Sequence, residues 1–219
     1  MARFVGRQAG YIEATRRQVP GLDDLHRMTG LLLAERIAEE GRVLVVGAGG
    51  GLELRALAQQ HAGWSFDGVD PSSDMLALAQ QTTSCHSSRI RLRQGDIHAA
   101  PKGPFDGAVC LLVFHHISPE ERMETLRGIR HRLSAGSPFV LAHVSFPQSE
   151  PDRSLWMERH IAFGAGPGMD RWDAARIGMM KRLFIDAPED EQAHLHDAGF
   201  TDVAQFYQAF SFRGWIAYA

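Results

Sequence analysis

Apolar runs alternate with amphipathic stretches along most of the chain. "RVLVVG" (42–47) is apolar at almost every position and rich in β-branched residues, the pattern of a strand covered on both faces. Before it, "GLDDLHRMTGLLLAERIAEEG" spaces Leu25, Met28 and Leu32 along one helical face, with Asp23 or Asp24 as the starting cap and Gly41 as the stop. After it come a helix in "LELRALAQQH", a short strand in "SFDGVD", a helix in "SSDMLALAQQT" and an alternating strand in "IRLRQGD". "FDGAVCLLVF" is the most apolar run, and a place near the sheet centre is expected for it. "SPEERMETLRGIRHRLSAG" opens with Ser118 as N-cap, Pro119 in the first turn and Glu121 closing a capping box. Its Met123, Leu126, Ile129 and Leu133 recur at helical spacing, and "PFVLAHVSF" follows as a fifth strand.

This rhythm breaks between Pro147 and Asp186, a stretch rich in Met, Trp, Arg and Gly that lacks strand signals. It reads as a partly helical insert lying over a substrate mouth as a lid. A helix resumes in "APEDEQAHLHDAGF", with Asp186 and Glu189 as capping candidates. Two β-rich runs, "TDVAQFYQAF" and "FRGWIAYA", meet at Ser211 and predict an antiparallel pair at the sheet edge. Strands alternating with helices predict an α/β, doubly wound sheet in a single domain spanning 1–219, with residues 1–40 as a helical cover and 147–186 as the lid.

Composition narrows the function classes. The 219 residues are 44% hydrophobic and carry a formal net charge of -3, so a dedicated nucleic-acid binder is not expected. No apolar run reaches the length of a membrane span or a secretory signal, which predicts a cytoplasmic protein with no membrane partner. The two cysteines, Cys85 in a polar stretch and Cys110 in an apolar run, make no disulfide framework.

The glycines at 47, 49, 50 and 51 follow the first strand, where a nucleotide-binding turn would lie. The dinucleotide pattern G-x-G-x-x-G fails because its third glycine would be Leu52, and no phosphate-loop lysine follows. What fits is G-x-G-x-G at Gly47, Gly49 and Gly51, a turn that lets bare backbone approach a ligand. Asp70 closes the second strand about 20 residues beyond the loop, the spacing of an acid that accepts ribose hydroxyls, although "DPSSD" also suits helix capping. "GDI" (95–97) closes the third strand.

With these three strand ends in order, the chain resembles class I S-adenosylmethionine-dependent methyltransferases. The resemblance implies a Rossmann-like, mostly parallel seven-stranded sheet with an antiparallel edge strand. It implies S-adenosyl-L-methionine as cofactor, S-adenosyl-L-homocysteine as product and a small-molecule substrate. The cofactor-binding positions it implies are Gly47, Ala48, Gly49, Gly51, Asp70, Pro71, Met75, Asp96, Ile97 and Leu111. The family often has an acid two residues before the first glycine, where Val45 stands here; Glu53 is a candidate to take over its contact with the methionine amino group.

From "VPGLDDLHRMTGLLLAERI" to "AGFTDVAQFYQAFSFRGWIAYA" the chain is similar to the carboxy-S-adenosylmethionine synthase group, which acts as a soluble dimer and uses prephenate. That resemblance implies a homodimer and sets Arg176 where the synthase binds its extra carboxylate. It departs at Leu22, a tyrosine in the synthase, and at Leu111, an asparagine. Plain S-adenosylmethionine and methyl transfer are therefore expected, with the synthase as the alternative and a non-catalytic S-adenosylmethionine-binding protein as a third reading. His115 and His116, at the mouth of the fourth strand, are the candidate bases; Tyr11 and Arg176 are candidate substrate contacts. His194 and His196 are two residues apart rather than four, so no metal site is expected, and both are expected to be solvated.

Overall fold

The computed structural model describes residues 2–165, 177–178 and 182–219, with side chains from Gly10 onward. The insert's Trp172, Arg176 and Met179 lie outside the described residues.

Seven strands form one sheet: β1 (Arg42–Val46), β2 (Ser65–Asp70), β3 (Ile90–Gln94), β4 (Gly107–Leu111), β5 (Pro138–Val144), β6 (Thr201–Ala209) and β7 (Phe212–Tyr218). Their order is β3-β2-β1-β4-β5-β7-β6, which puts β4 in the middle, as its apolar sequence predicts. The β1 through β5 pairings are parallel, while β7 runs antiparallel to both β5 and β6. The helices are α1 (Ala2–Gln18), α2 (Leu22–Ala34), α3 (Leu52–Gln60), α4 (Ser73–Thr82), α5 (Pro119–Arg130), α6 (Asp152–Ala165) and α7 (Pro188–Asp197).

The runs look uniformly apolar because both sheet faces are covered, yet the period of two survives inside them. Val43 and Val45 of β1, Val109 of β4 and Val140 of β5 pack with Leu25 and Leu33 of α2 and Leu54 and Leu57 of α3. Leu44, Val46, Cys110, Phe139 and Leu141 point the other way, onto Leu126 and Ile129 of α5 and Leu195 of α7. Each such large side chain contributes about 1.5–3 kcal/mol through burial. The parallel strands bring the loops after β1, β2, β3, β4 and β5 to one edge of the sheet.

Helix ends differ from the sequence reading. Asp23 and Asp24 lie in the first turn of α2, behind a left-handed Gly21 cap, and α2 stops at Ala34. Beyond that point Trp64 Nε1 donates to Ala38 O at 2.9 Å and Ile37 is buried, so tertiary contacts take the backbone groups that further helix would use. Ser118 Oγ donates to Glu121 Oε2 at 2.9 Å instead of capping a backbone N–H. Asp186 and Glu189 do not cap α7, which starts behind Ala187. The Asp186 carboxylate is taken by Arg122.

Arg122 is the hub of a buried charge network on the α5–α7 side. Its guanidinium pairs with Asp186, reaches Glu191 Oε1 at 3.3 Å and donates to the carbonyls of Phe184 and Ile117. His143 Nδ1–H donates to Val144 O at 3.0 Å, while Nε2 lies 3.2 Å from Glu191 Oε1, an ion-pair distance without hydrogen-bond alignment. Burial alone would raise the Glu191 carboxyl, but His143 and Arg122 outweigh it and hold it below the ordinary value.

Removing one partner from a buried pair leaves an uncompensated charge. Arg122→Met is expected to lose about 3–5 kcal/mol in urea unfolding at pH 7. A carboxylate with a depressed folded value contributes stability above its unfolded value and loses it on acidification. The margin over Arg122→Met should therefore narrow as pH falls below 4.5, the ordinary Glu191 value. Equal stability of the two proteins at pH 7 would contradict this account.

Candidate functional site

Four glycines shape the turn after β1. Gly47, Gly49 and Gly51 have φ of 75°, 46° and 78°, the left-handed region that side chains with a Cβ rarely adopt. Gly50 is required for a different reason: a Cβ there would sit 2.3 Å from Tyr11 Cε1, because the α1 tyrosine ring packs against the loop. A Cβ on Gly47 would sit 2.2 Å from Val113 Cγ2. The loop is stitched to β2, with Gly47 N and Ala48 N both donating to Val69 O at 2.8 and 2.9 Å.

Asp70 completes that stitching. Its Oδ2 accepts from Gly49 N at 2.8 Å and its Oδ1 from Ser72 N at 2.9 Å. Ser72 in turn caps α4 through Met75 N. Each carboxylate oxygen keeps a second lone pair, so a hydroxyl can still be accepted there. Met75 lies beside the loop, with its Cε 3.8 Å from where a Gly49 Cβ would be. Pro71 is exposed, and its carbonyl accepts from Gln94 Nε2 at 3.2 Å. Asp96 caps the short turn after β3 by accepting from His98 N at 2.9 Å, and the Ile97 side chain is buried toward Gly128 of α5. Leu111 ends β4 with its side chain in the core, which leaves only its backbone for a ligand. The next residue, Leu112, holds φ 63° while its N–H donates to Ala142 O at 2.6 Å. Such a backbone in a non-glycine residue is strained, and nothing in the residue type signals it.

Two ionisable side chains stand beside the loop. Glu53, in the first turn of α3, is buried, and its carboxyl is pushed up to about 8 by desolvation, assisted by the nearby Asp70 charge. Tyr11 is raised as well, first by burial and then by Glu53.

A cavity of about 300 Å³ opens past Tyr11 toward the ends of β4 and β5. Leu112, Val144, Ile161, Leu183, Phe212 and Val19 supply apolar wall; Thr15, Gln18, His115, His116 and His160 supply hydrogen-bonding groups. No acid, lysine or arginine lines it among the described residues. His115 is buried, and desolvation with three neighbouring histidines and Arg122 holds it well below its ordinary value. Its Nδ1 lies 3.5 Å from Val144 N, a long contact, and its carbonyl accepts from Phe184 N at 2.9 Å. His116 is more exposed, sits with its ring tilted and centred 4.2 Å from that of His115, and is lowered by desolvation. His160, on α6, pairs Nδ1 with Ser211 Oγ at 2.5 Å.

Tyr11, His115 and His116 thus come together from distant points of the sequence. Arg176 lies outside the described residues. His160, Thr15 and Gln18 were missed because one polar residue on an otherwise amphipathic helix carries no motif. Leu22 is buried in the core under a separate groove of about 360 Å³ between α1, α2 and α3, away from the histidine cavity.

Of the two α7 histidines, His196 is exposed as expected and His194 is half-buried. The His194 Nδ1 is buried and lies 3.7 Å from Asp186. Asp186, Glu191 and His194 bring ligand-type atoms within 4.8 Å of one another, but the Arg122 guanidinium already sits against both carboxylates. No helix among the described residues is long and apolar enough to cross a membrane.

Comparison with known proteins agrees with this geometry. Residues 43–136, from β1 to the turn before β5, match the family described as "Methyltransferase domain". A carboxy-S-adenosyl-L-methionine synthase of Chromohalobacter salexigens is 26% identical over 96% of this chain and 80% of its own length. Magnesium protoporphyrin IX methyltransferase of Synechocystis PCC 6803, solved with bound S-adenosylhomocysteine, superposes with a TM-score of 0.64 at 21% identity, covering 90% of this chain and 83% of that one. The S-adenosylmethionine-dependent methyltransferase SibL gives 0.64 at 19% identity, with 90% of this chain matched to 56% of that longer one. Over residues 43–136 the chain is thus similar to a methyltransferase domain, and its seven-stranded Rossmann-like sheet is the fold of the S-adenosylmethionine-dependent methyltransferases it superposes on.

Proposed function

We propose that this protein transfers a methyl group from S-adenosylmethionine to a small, uncharged acceptor held in the histidine cavity. The observation that carries this reading is the junction at Tyr11: the glycine loop on one side of it, and on the other a largely apolar cavity lined by no acid, lysine or arginine among the described residues. The loop fits the cofactor because Gly47 and Gly49 keep partly exposed backbone with no side chain over it, and an acid stands at each of the next two strand ends. When bound, the cofactor supplies a methyl carbon made electrophilic by its sulfonium.

In this reading Asp70 accepts ribose hydroxyls, with Pro71 and Met75 flanking that edge. Asp96 and the Ile97 N–H hold the adenine, and the Leu111 carbonyl borders the methionine end. Tyr11 and the α6 face around His160 enclose the acceptor and exclude water, holding it close to the donor. His116 takes the proton of an acceptor hydroxyl, for which a neutral imidazole is needed. His115, deeper and tied to β5, positions it. The lid over 147–186, the cytoplasmic location and the homodimer belong to the same reading.

A second reading, carboxy-S-adenosylmethionine synthesis, is favoured by the similarity to the Chromohalobacter protein. Against it, Leu22 and Leu111 are both buried and bring no hydroxyl or amide to a carboxylate. The described cavity wall also offers no cation to the two carboxylates of prephenate, and unpaired anions are costly to desolvate.

Three measurements test these assignments. Asp70→Ala should weaken S-adenosylhomocysteine binding about tenfold or more in calorimetry, the loss of hydrogen bonds together worth about 1.5–3 kcal/mol. Unchanged affinity in a folded variant would remove Asp70 from the ribose role. Histidine ring NMR should titrate His115 and His116 below 6.5, the ordinary value, with His115 the lower. A midpoint above that value for His116 would deny it the base role at neutral pH. Incubation with S-adenosylmethionine and prephenate, followed by mass analysis, should return no carboxylated nucleoside, and its appearance would make the synthase the correct reading.

A further inference from the structure

Glu53 is a buried acid that the methyl-transfer reading does not use. It follows Gly51 by two residues, in the first turn of α3, and is 9% exposed. Its one hydrogen-bonding contribution comes from its own backbone, and no lysine, arginine or histidine is among the groups acting on it. The groups that face it are acids from three other elements: Asp70 at the end of β2, Tyr11 on α1 and Cys110 on β4. A buried carboxyl with no basic partner, in the first turn after the glycine loop, is a place suited to an incoming cation.

We infer that Glu53 receives the α-ammonium of the cofactor's methionine moiety and releases its own proton to solvent as that cation binds. This rests on the cofactor reading above. The exchange balances in charge: the neutral carboxyl gives one proton to solvent, and the carboxylate left behind pairs with the ammonium. Glu53 does the work for which Val45, two residues before the first glycine, has no polar atom. The desolvated carboxyl, near 8, is mostly protonated at pH 7, so the ammonium must displace a proton. Tyr11 and Cys110 are themselves raised and stay neutral through this range, so neither supplies the proton. Affinity for an amine-bearing ligand therefore climbs with pH toward 8, by up to about tenfold per unit.

Two probes separate this from a merely structural acid: S-adenosylhomocysteine, which has the ammonium but no sulfonium, and its des-amino analogue. Calorimetry at pH 7 in buffers of different ionisation heat measures both affinity and protons released. The wild type should bind S-adenosylhomocysteine about tenfold or more tighter than the analogue, releasing close to one proton with the first and none with the second. Glu53→Gln, which keeps the shape of the neutral acid, should bind both ligands about equally and release no proton. The proton count of the wild type decides the matter even where the variant does not fold. S-adenosylhomocysteine binding without proton release, or with the same amine preference in Glu53→Gln, overturns this inference alone. Failure of the wild type to bind either ligand overturns the cofactor reading and this inference together.

Discussion

The hydrogen bond from Gly49 N to the Asp70 carboxylate ties the turn after β1 to the end of β2, and the site is organised around it. An irregular turn with three left-handed residues would otherwise cost backbone entropy with few contacts in return. Asp70 repays part of that cost at both ends, since its other oxygen fixes Ser72 and through it the start of α4. The capping of α4 falls to Ser72, which Asp70 holds in place. The carboxylate is held in place by backbone donors, and its remaining lone pairs are aimed by them.

A second theme is the management of charge below the surface. On the α5–α7 side charge is buried as pairs, with Arg122 shared between Asp186 and Glu191. Around the glycine loop and the cavity, titratable groups have no ion pair among the described residues, and desolvation drives them toward their neutral forms: Glu53 and Tyr11 upward, His115 and His116 downward. The first arrangement pins the chain that leaves the insert, because Arg122 also holds the Phe184 carbonyl and Phe184 N–H holds His115 O. The second leaves groups whose ionisation answers to whatever binds beside them.

How much of this the sequence displays depends on the range of the interaction. Strands buried on two faces announce themselves as continuous apolar runs, so "RVLVVG" and "FDGAVCLLVF" place β1 and β4 correctly. The loop is legible because positive φ demands glycine at 47, 49 and 51. Gly50 is legible as a glycine but not as to its reason, which is a ring 39 residues away in sequence. Helix boundaries fail where tertiary contacts override local preference: Trp64 takes the Ala38 carbonyl, and Arg122 takes the Asp186 carboxylate from the start of α7. His194 read as solvated for the same reason, since its neighbours Asp186 and Glu191 are drawn in by an arginine from another helix. The left-handed Leu112 and the His160 wall carry no local signature at all.

Tyr11 shows why the last of these matter for function. Its ring closes over Gly50 while the same side chain lines the histidine cavity, so α1 belongs to the loop and to the cavity at once. The helix is amphipathic in an ordinary way, and nothing in "QAGYIEATRRQ" marks one tyrosine as a partition. Yet its hydroxyl is raised by the Glu53 charge as well as by burial, so a change of charge at Glu53 is felt by the side chain that borders the cavity. In a low-dielectric site such a change reaches farther than it would in water. Loop, buried acid and cavity wall therefore form one electrostatic unit. What distinguishes this chain within a widely shared fold is the set of uncharged partners gathered around it, more than the glycine motif itself.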